Sequence, residues 1–181
     1  MKGIKMATLT VIDEQRSRLG TLVAAKLPST EVVLTDRFDT TLQTARVIVW
    51  VAPVERADDR VFELIDQIDA RAAAPEKIVM VTLAGINGEV PDEQLTLWYG
   101  DAAQELMLAH QYATKMIDEL EIDYTLIRRV PLVDEETPVQ VTNEGQPVMG
   151  TRIGMQALSE IVVQACDPTV FRNQSIGVSD Q

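Results

Sequence analysis

Two runs near the middle of the chain, Val47-Ile-Val-Trp-Val51 and Ile78-Val-Met-Val81, are apolar at every position. A strand with one solvated face alternates apolar and polar residues, so a strand apolar throughout needs cover on both sides. Parallel sheets between two helical layers provide that cover. These two runs extend to Arg46–Ala52 and Lys77–Thr82, and Ala7-Thr-Leu-Thr-Val-Ile12, Glu31-Val-Val-Leu34 and Tyr124-Thr-Leu-Ile127 share their length and β-branched content. Between them, Ser17 to Leu27, Asp58 to Ala73, Trp98 to Glu121 and Met155 to Cys166 read as helices, several with apolar residues three and four apart. Alternating strand and helix predicts parallel βαβ units, hence an α/β, doubly wound, mainly parallel sheet with helices on both faces. Gln174 to Val178 is the expected last strand, and Asp134 to Pro147 reads as an exposed excursion.

A length of 181 residues suffices for one well-buried core and is short for two, so residues 1–181 are expected to form one domain. Aromatic residues are only 4% of the chain, which leaves the core to Val, Ile, Leu and Ala. The formal charge of -12 repels phosphate backbones and anionic lipid, so neither nucleic acid nor a membrane surface is an expected partner. Apolar runs fall far short of the roughly 18 residues that span a bilayer, and the N-terminus lacks a cleavable signal pattern; a cytoplasmic location is expected. The single cysteine, Cys166, sits in an apolar run and reads as a small buried hydrophobe, with no intrachain disulfide and no Cys-based zinc site. With His110 the single histidine, no multi-histidine metal site is expected either.

Asp123-Tyr-Thr-Leu-Ile-Arg128 and the following Arg129-Val130-Pro131-Leu132 resemble a strand of the atypical short-chain dehydrogenase/reductases of the NmrA-like kind. Those proteins have Asp-Tyr-Thr-Ile and then Arg-Pro-Gly-Pro-Leu, so Arg129-Val130 stands in place of Pro-Gly. Val81-Thr-Leu-Ala-Gly85 is similar to the family's Val-Ser-Ser-x-Gly strand end, and Ala109-His-Gln-Tyr-Ala-Thr-Lys115 to its Ala-Lys-x-Tyr-Ala helix. Gly150 to Pro168 resembles the penultimate helix and Asn173 to Val178 the last strand. Val32 to Ala45, with Asp36, Asp39 and Leu42, resembles a pattern that normally follows the third strand; on that reading the second strand and its helix are missing. The resemblance covers nearly the whole chain and implies a Rossmann-like sheet with NAD or NADP bound at the carboxyl ends of its strands.

The chemistry this resemblance implies is largely substituted. Dinucleotide binding needs a glycine-rich turn after the first strand, so that the pyrophosphate can approach the helix N-terminus. Aligning Gly20 with the last glycine puts Glu14 and Ser17 where the first two belong. Glu14 is expected to add bulk and like charge near the phosphates, while Arg16 and Arg18 either contact an anion or are solvated loop charges. The family's Tyr and Lys, four residues apart on one helix face, correspond to Leu106 and His110, and its Ser falls near Thr82 or Leu83. Tyr112 and Lys115 have three-residue spacing and do not restore the pair. His110 titrates near neutral pH in principle, although a lone helical histidine is more often a surface or core-edge residue. The Ser-Arg-x-Asp that opens the family's penultimate helix has become Gly154-Met155-Gln156-Ala157.

Three functions follow as expectations. The first is a divergent Rossmann protein without Tyr–Lys reductase catalysis and with weakened or lost dinucleotide binding. The second is an NAD(P)H-dependent oxidoreductase acting on a small quinone, flavin or carbonyl compound. The third is a regulatory or scaffolding subunit, with homodimerisation through the long helix, whose Leu106, Met107, Ala113, Met116, Ile117 and Leu120 exceed one narrow stripe. The catalytic candidates are His110 and Thr82. The candidates for binding NAD, NADP or another small ligand are Asp13, Glu14, Arg16, Ser17, Arg18, Gly20, Asp36, Ala52, Pro53, Leu83 and Pro131. Asp36 distinguishes NAD from NADP only if its strand sits where the second one should.

Overall fold

A computed structural model describes residues 8–27 and 31–181. Ala7, the first residue of the expected first strand, and the signal-peptide reading lie outside the described residues. The chain runs β1 (Leu9–Ile12), α1 (Arg18–Lys26), β2 (Val32–Thr35), β3 (Val47–Val51), α2 (Ala57–Asp69), β4 (Lys77–Leu83), α3 (Asp92–Tyr99), α4 (Ala103–Asp118) and β5 (Tyr124–Arg129). It continues through β6 (Leu132–Val133), β7 (Gln140–Thr142), β8 (Ile153–Gly154), α5 (Met155–Ala165) and β9 (Gln174–Ser179). Seven strands form one sheet in the order β2-β1-β3-β4-β5-β9-β7, parallel except for β7, which runs antiparallel to β9.

The all-apolar strands split their residues between two cores, as a two-residue side-chain period requires. Val47, Val49, Val79 and Val81 pack with Leu19 and Val23 of α1 and with Leu158 and Val162 of α5. Ile48, Trp50, Ile78 and Met80 pack with Val61 and Leu64 of α2 and with Ala113 and Ile117 of α4. Both faces of the sheet are therefore covered, and the doubly wound reading stands.

Among the described residues only β2 lies beyond β1, and a short 3-10 turn at Thr40–Gln43 carries the chain from β2 back across β1 to β3. A six-stranded doubly wound sheet has two strands on that side; among the described residues β2 alone stands there, and no α-helix lies between it and β3. β2 pairs directly with β1, from Leu9 opposite Val32 to Ile12 opposite Thr35. The segment that resembles a third-strand pattern thus occupies the second strand's place, and Asp36 ends it.

One expectation is corrected. The single helix from Trp98 to Glu121 is broken at Gly100, whose φ of 65° is a left-handed conformation that ends α3, and a 3-10 turn precedes α4. Four of the six apolar positions named on that helix, Leu106, Met107, Ala113 and Ile117, are buried in this protein's own core. The segment from Asp134 to Pro147 is largely exposed, as expected, and within it β7 extends the sheet and buries Thr142. Among the described residues no helix is long and apolar enough to cross a membrane.

The loop after β4 is fixed by a buried ion pair. Arg128 on β5 is fully buried, lies 2.8 Å from the carboxylate of Glu89 and donates to the Ser175 hydroxyl at 2.9 Å. Glu89 in turn accepts from the backbone N–H groups of Gly85 at 2.6 Å and Asn87 at 2.8 Å. Charged groups this deep persist only when paired and hydrogen-bonded, so the loop, β5 and β9 hold a single arrangement.

Candidate functional site

The β1–α1 turn is organised around Asp13, a buried carboxylate directly after β1. It accepts from the Ser17 hydroxyl at 2.5 Å and from the backbone N–H of Gly20 at 3.2 Å. Gly20 lies in the first turn of α1, where N–H groups lack helical partners and favour negative charge, so Asp13 caps the helix from below. A Cβ on Gly20 would collide with the Asp13 carboxylate. The surviving glycine is therefore required by the protein's own carboxylate.

Glu14 does not crowd the turn as expected. It is ion-paired to Arg60 on α2, whose Nε donates to Glu14 Oε1 at 2.6 Å and whose guanidinium lies 5.3 Å from the centre of the Phe38 ring. Arg16, at φ 52°, ion-pairs with Asp36 at the end of β2, and Arg37 reaches the same carboxylate at 3.4 Å. The Arg16 hydrogen bond holds the Asp36 carboxyl below its ordinary pKa, so it is ionised at neutral pH. Arg18 pairs with Asp134 at 3.2 Å. Both arginines of the turn are thus matched to carboxylates.

Two hollows flank this turn. One, of about 410 Å³, opens between β1, β2 and α1 and is lined by Asp13, Arg16, Ser17, Thr21, Thr35 and Asp36. The other holds only about 90 Å³ at the carboxyl ends of β1, β3 and β5, among Asp13, Ser17, Ala52, Val54, Arg129 and Leu132. Of the sequence candidates, Asp13 and Ser17 border both, Arg16 and Asp36 the first, and Ala52 the second. Pro53 is buried beside Ala52. Leu83 packs into the core beneath α1 and α5, and the Pro131 carbonyl accepts from Ile153 at 3.0 Å, joining the β6–β8 pair to the end of β5.

Thr82 and His110 are brought together, but inside the protein. Thr82 faces the α2/α4 side of β4, and its hydroxyl lies 2.7 Å from His110 Nδ1. His110 Nε2 is 2.9 Å from the Val54 carbonyl. A carbonyl only accepts, so Nε2 carries the proton, and Nδ1 accepts from Thr82. His110 is fully buried, which pushes its pKa from 6.5 down to about 4. The expectation of a surface or core-edge histidine is corrected: the neutral ring clips the β3–α2 turn to β4.

The remaining reactive groups are also engaged. Tyr112 packs on Phe62 with ring centres 6.0 Å apart, and Lys115 pairs with Glu119 at 3.7 Å on the surface. The Cys166 thiol donates to the Val162 carbonyl at 3.3 Å, and burial pushes its pKa up to about 12, the behaviour of a packed hydrophobe. Among the described residues no group of three or more His, Cys, Asp or Glu is arranged to hold a metal ion. Sequence reading missed Arg60, which pairs with Glu14, and Arg129, which lines the smaller hollow; only Arg129 left a signal, as the arginine standing where the resemblance expects proline.

The profile of the NAD(P)H-binding family matches residues 7–168. The chain belongs to this family. Solved structures of the same fold include an ethylated short-chain dehydrogenase/reductase from Veillonella parvula, with TM-score 0.76 at 17% identity, covering 97% of this chain and 94% of that one. A short-chain dehydrogenase/reductase from the same bacterium in complex with NADP gives 0.71 at 19%, covering 97% and 95%. A Rossmann-fold NAD(P)-binding family protein from Shigella flexneri gives 0.73 at 13%, covering 97% and 94%. At these identities the likeness is one of fold. No curated protein matches the chain in sequence.

Proposed function

We propose that this family member binds an NAD(P)-type nucleotide mainly through its adenosine half and does not perform the Tyr–Lys proton transfer of standard short-chain reductases. The observation that carries the first part is the unequal room along the cleft, about 410 Å³ beside Asp36 against about 90 Å³ beside Ala52 and Arg129. Pockets for molecule-sized ligands start near roughly 300 Å³. The hollow beside Asp36 lies in that range and the one beside Ala52 and Arg129 lies below it.

Asp36 ends the strand beside β1, the position from which a carboxylate accepts the ribose 2′-hydroxyl, while Arg16 and Arg37 are the groups suited to a 2′-phosphate. The bound cofactor would supply hydride. The second part rests on Leu106 at the Tyr position and on His110, whose two nitrogens are both occupied in a dry site. Calorimetric titration with NAD, NADP, their reduced forms and ADP tests the reading. ADP is expected to bind within several-fold of the whole dinucleotide. A dinucleotide advantage above about a hundredfold, near 3 kcal/mol, would mean that the nicotinamide half makes contacts of its own and would refute it.

Family membership and the NADP-bound neighbour favour a second reading, an NAD(P)H-dependent oxidoreductase acting on a small quinone, flavin or carbonyl substrate. It predicts oxidation of NADH or NADPH in a substrate screen at high enzyme concentration, and no turnover there would remove it.

A further inference from the structure

A groove runs where α2 lies beside α4, on the side of these helices turned away from the sheet. It encloses about 810 Å³, and none of its lining residues borders either hollow at the β1–α1 turn. Its apolar floor comes from α4, where Leu108 and Ala109 stand four and three residues before Tyr112 and share its face. Leu108 is 62% exposed and Tyr112 42%, and Tyr112 also packs on Phe62 of α2, itself 45% exposed. Large apolar side chains gathered at the surface inside a polar rim mark a face that another molecule covers.

The rim is acidic. Glu55 precedes α2, Asp58 lies in its first turn, Glu105 lies in the first turn of α4, and among the described residues none of the three forms an ion pair. Arg56, the cation lining the groove, is matched to Asp59 at 3.2 Å. An apolar floor between unmatched carboxylates complements a helix whose apolar stripe is flanked by Lys or Arg. A second copy of this chain fits the charge poorly, because pairing the groove with itself about a twofold axis sets three unmatched carboxylates against three more.

We propose that the groove between α2 and α4 is the docking site for a basic amphipathic helix of a partner protein. The helix covers Leu108, Tyr112 and Phe62 with apolar side chains three and four residues apart, and its flanking cations reach Glu55, Asp58 and Glu105. A third helix suits the shape, since a packed helix pair offers ridges and grooves that another helix enters at an axis separation of about 8–10 Å. The site stands apart from the cleft and holds whether or not a nucleotide binds there.

The probe is a labelled, amidated peptide of about 18 residues, with Leu at heptad a and d positions and Lys elsewhere, long enough to be helical. Its fluorescence anisotropy is followed as the full chain is added at about 0.15 M salt, where distant charges are screened. Saturable micromolar binding is expected, weakened about tenfold or more by Leu108→Ser and by Glu105→Lys. Glu136→Lys, on the exposed segment before β7, makes the same charge change away from the groove and is expected to alter binding less than about twofold. A peptide with Glu in place of Lys is expected not to bind. Leu108 and Glu105 are both exposed, so the variants are expected to keep the wild-type thermal midpoint, and Glu105→Lys carries the test should Leu108→Ser fail to fold. The absence of saturable binding, equal losses from Glu136→Lys and Glu105→Lys, or binding untouched by Leu108→Ser in folded protein overturns the proposal. So does a dimer in light scattering that Leu108→Ser dissociates, which would seat a second copy on the groove.

Discussion

Acidification from about pH 7 to about pH 5 is expected to cost the folded state about 2 kcal/mol at one side chain, His110. In the unfolded chain this imidazole takes up a proton near its ordinary value of 6.5; in the folded protein burial pushes that value down to about 4. Between the two values the unfolded state binds a proton that the folded state does not, so stability falls as the pH falls through that window. At 1.36 kcal/mol per pH unit the loss is about 2 kcal/mol by pH 5 and about 3 kcal/mol by pH 4. His110 is the one histidine in the chain, so no other imidazole contributes. Urea unfolding followed by the fluorescence of buried Trp50 measures the effect at both pH values. His110→Gln, whose amide can still donate to Val54 and accept from Thr82, removes the titration, so the wild type should lose about 2 kcal/mol more than the variant over the same pH interval. Parallel losses in the two proteins, or an imidazole that titrates by NMR near its ordinary value, would refute the buried, neutral assignment.

Gly20→Ala is expected to destabilise by about 1–3 kcal/mol through overpacking against Asp13, read as a lower urea midpoint with an unchanged slope. Glu89→Gln leaves the fully buried Arg128 without its counter-charge and is expected to cost about 3–5 kcal/mol, measured the same way. Asp36→Asn removes an ionised carboxylate from beside Arg16 and Arg37 and should shift preference from NAD toward NADP by about tenfold in calorimetric titration. An unchanged ratio would detach Asp36 from ribose recognition.

Much of the fold was legible in the chain because strand burial on two faces leaves a local mark. Val47–Val51 and Ile78–Val81 carry no alternation, and both turned out to be central strands between two helical layers. The helix break before α4 was less visible, since a single Gly100 in a periodic stretch is compatible with either a continuous or an ended helix until its φ is known. Strand β7 was missed because three residues with an exposed pattern, Gln140–Thr142, form a strand only where β9 offers an edge.

The site divided along a similar line. The residues that the resemblance sets at the glycine and Tyr–Lys positions, Glu14, Ser17, Leu106 and His110, could be compared by residue type one position at a time. Partnerships could not be read this way. That Glu14 would meet Arg60, that Thr82 would donate to a buried His110, and that Arg16 would meet Asp36 depend on residues far apart in sequence brought side by side. The sequence by itself determined the layered α/β architecture, since it is written in local pattern and residue identity. The tertiary structure alone decided which charges are neutralised, where β2 pairs and that the hollow beside Asp36 is larger than the one beside Ala52, because burial and long-range contact set electrostatics and volume.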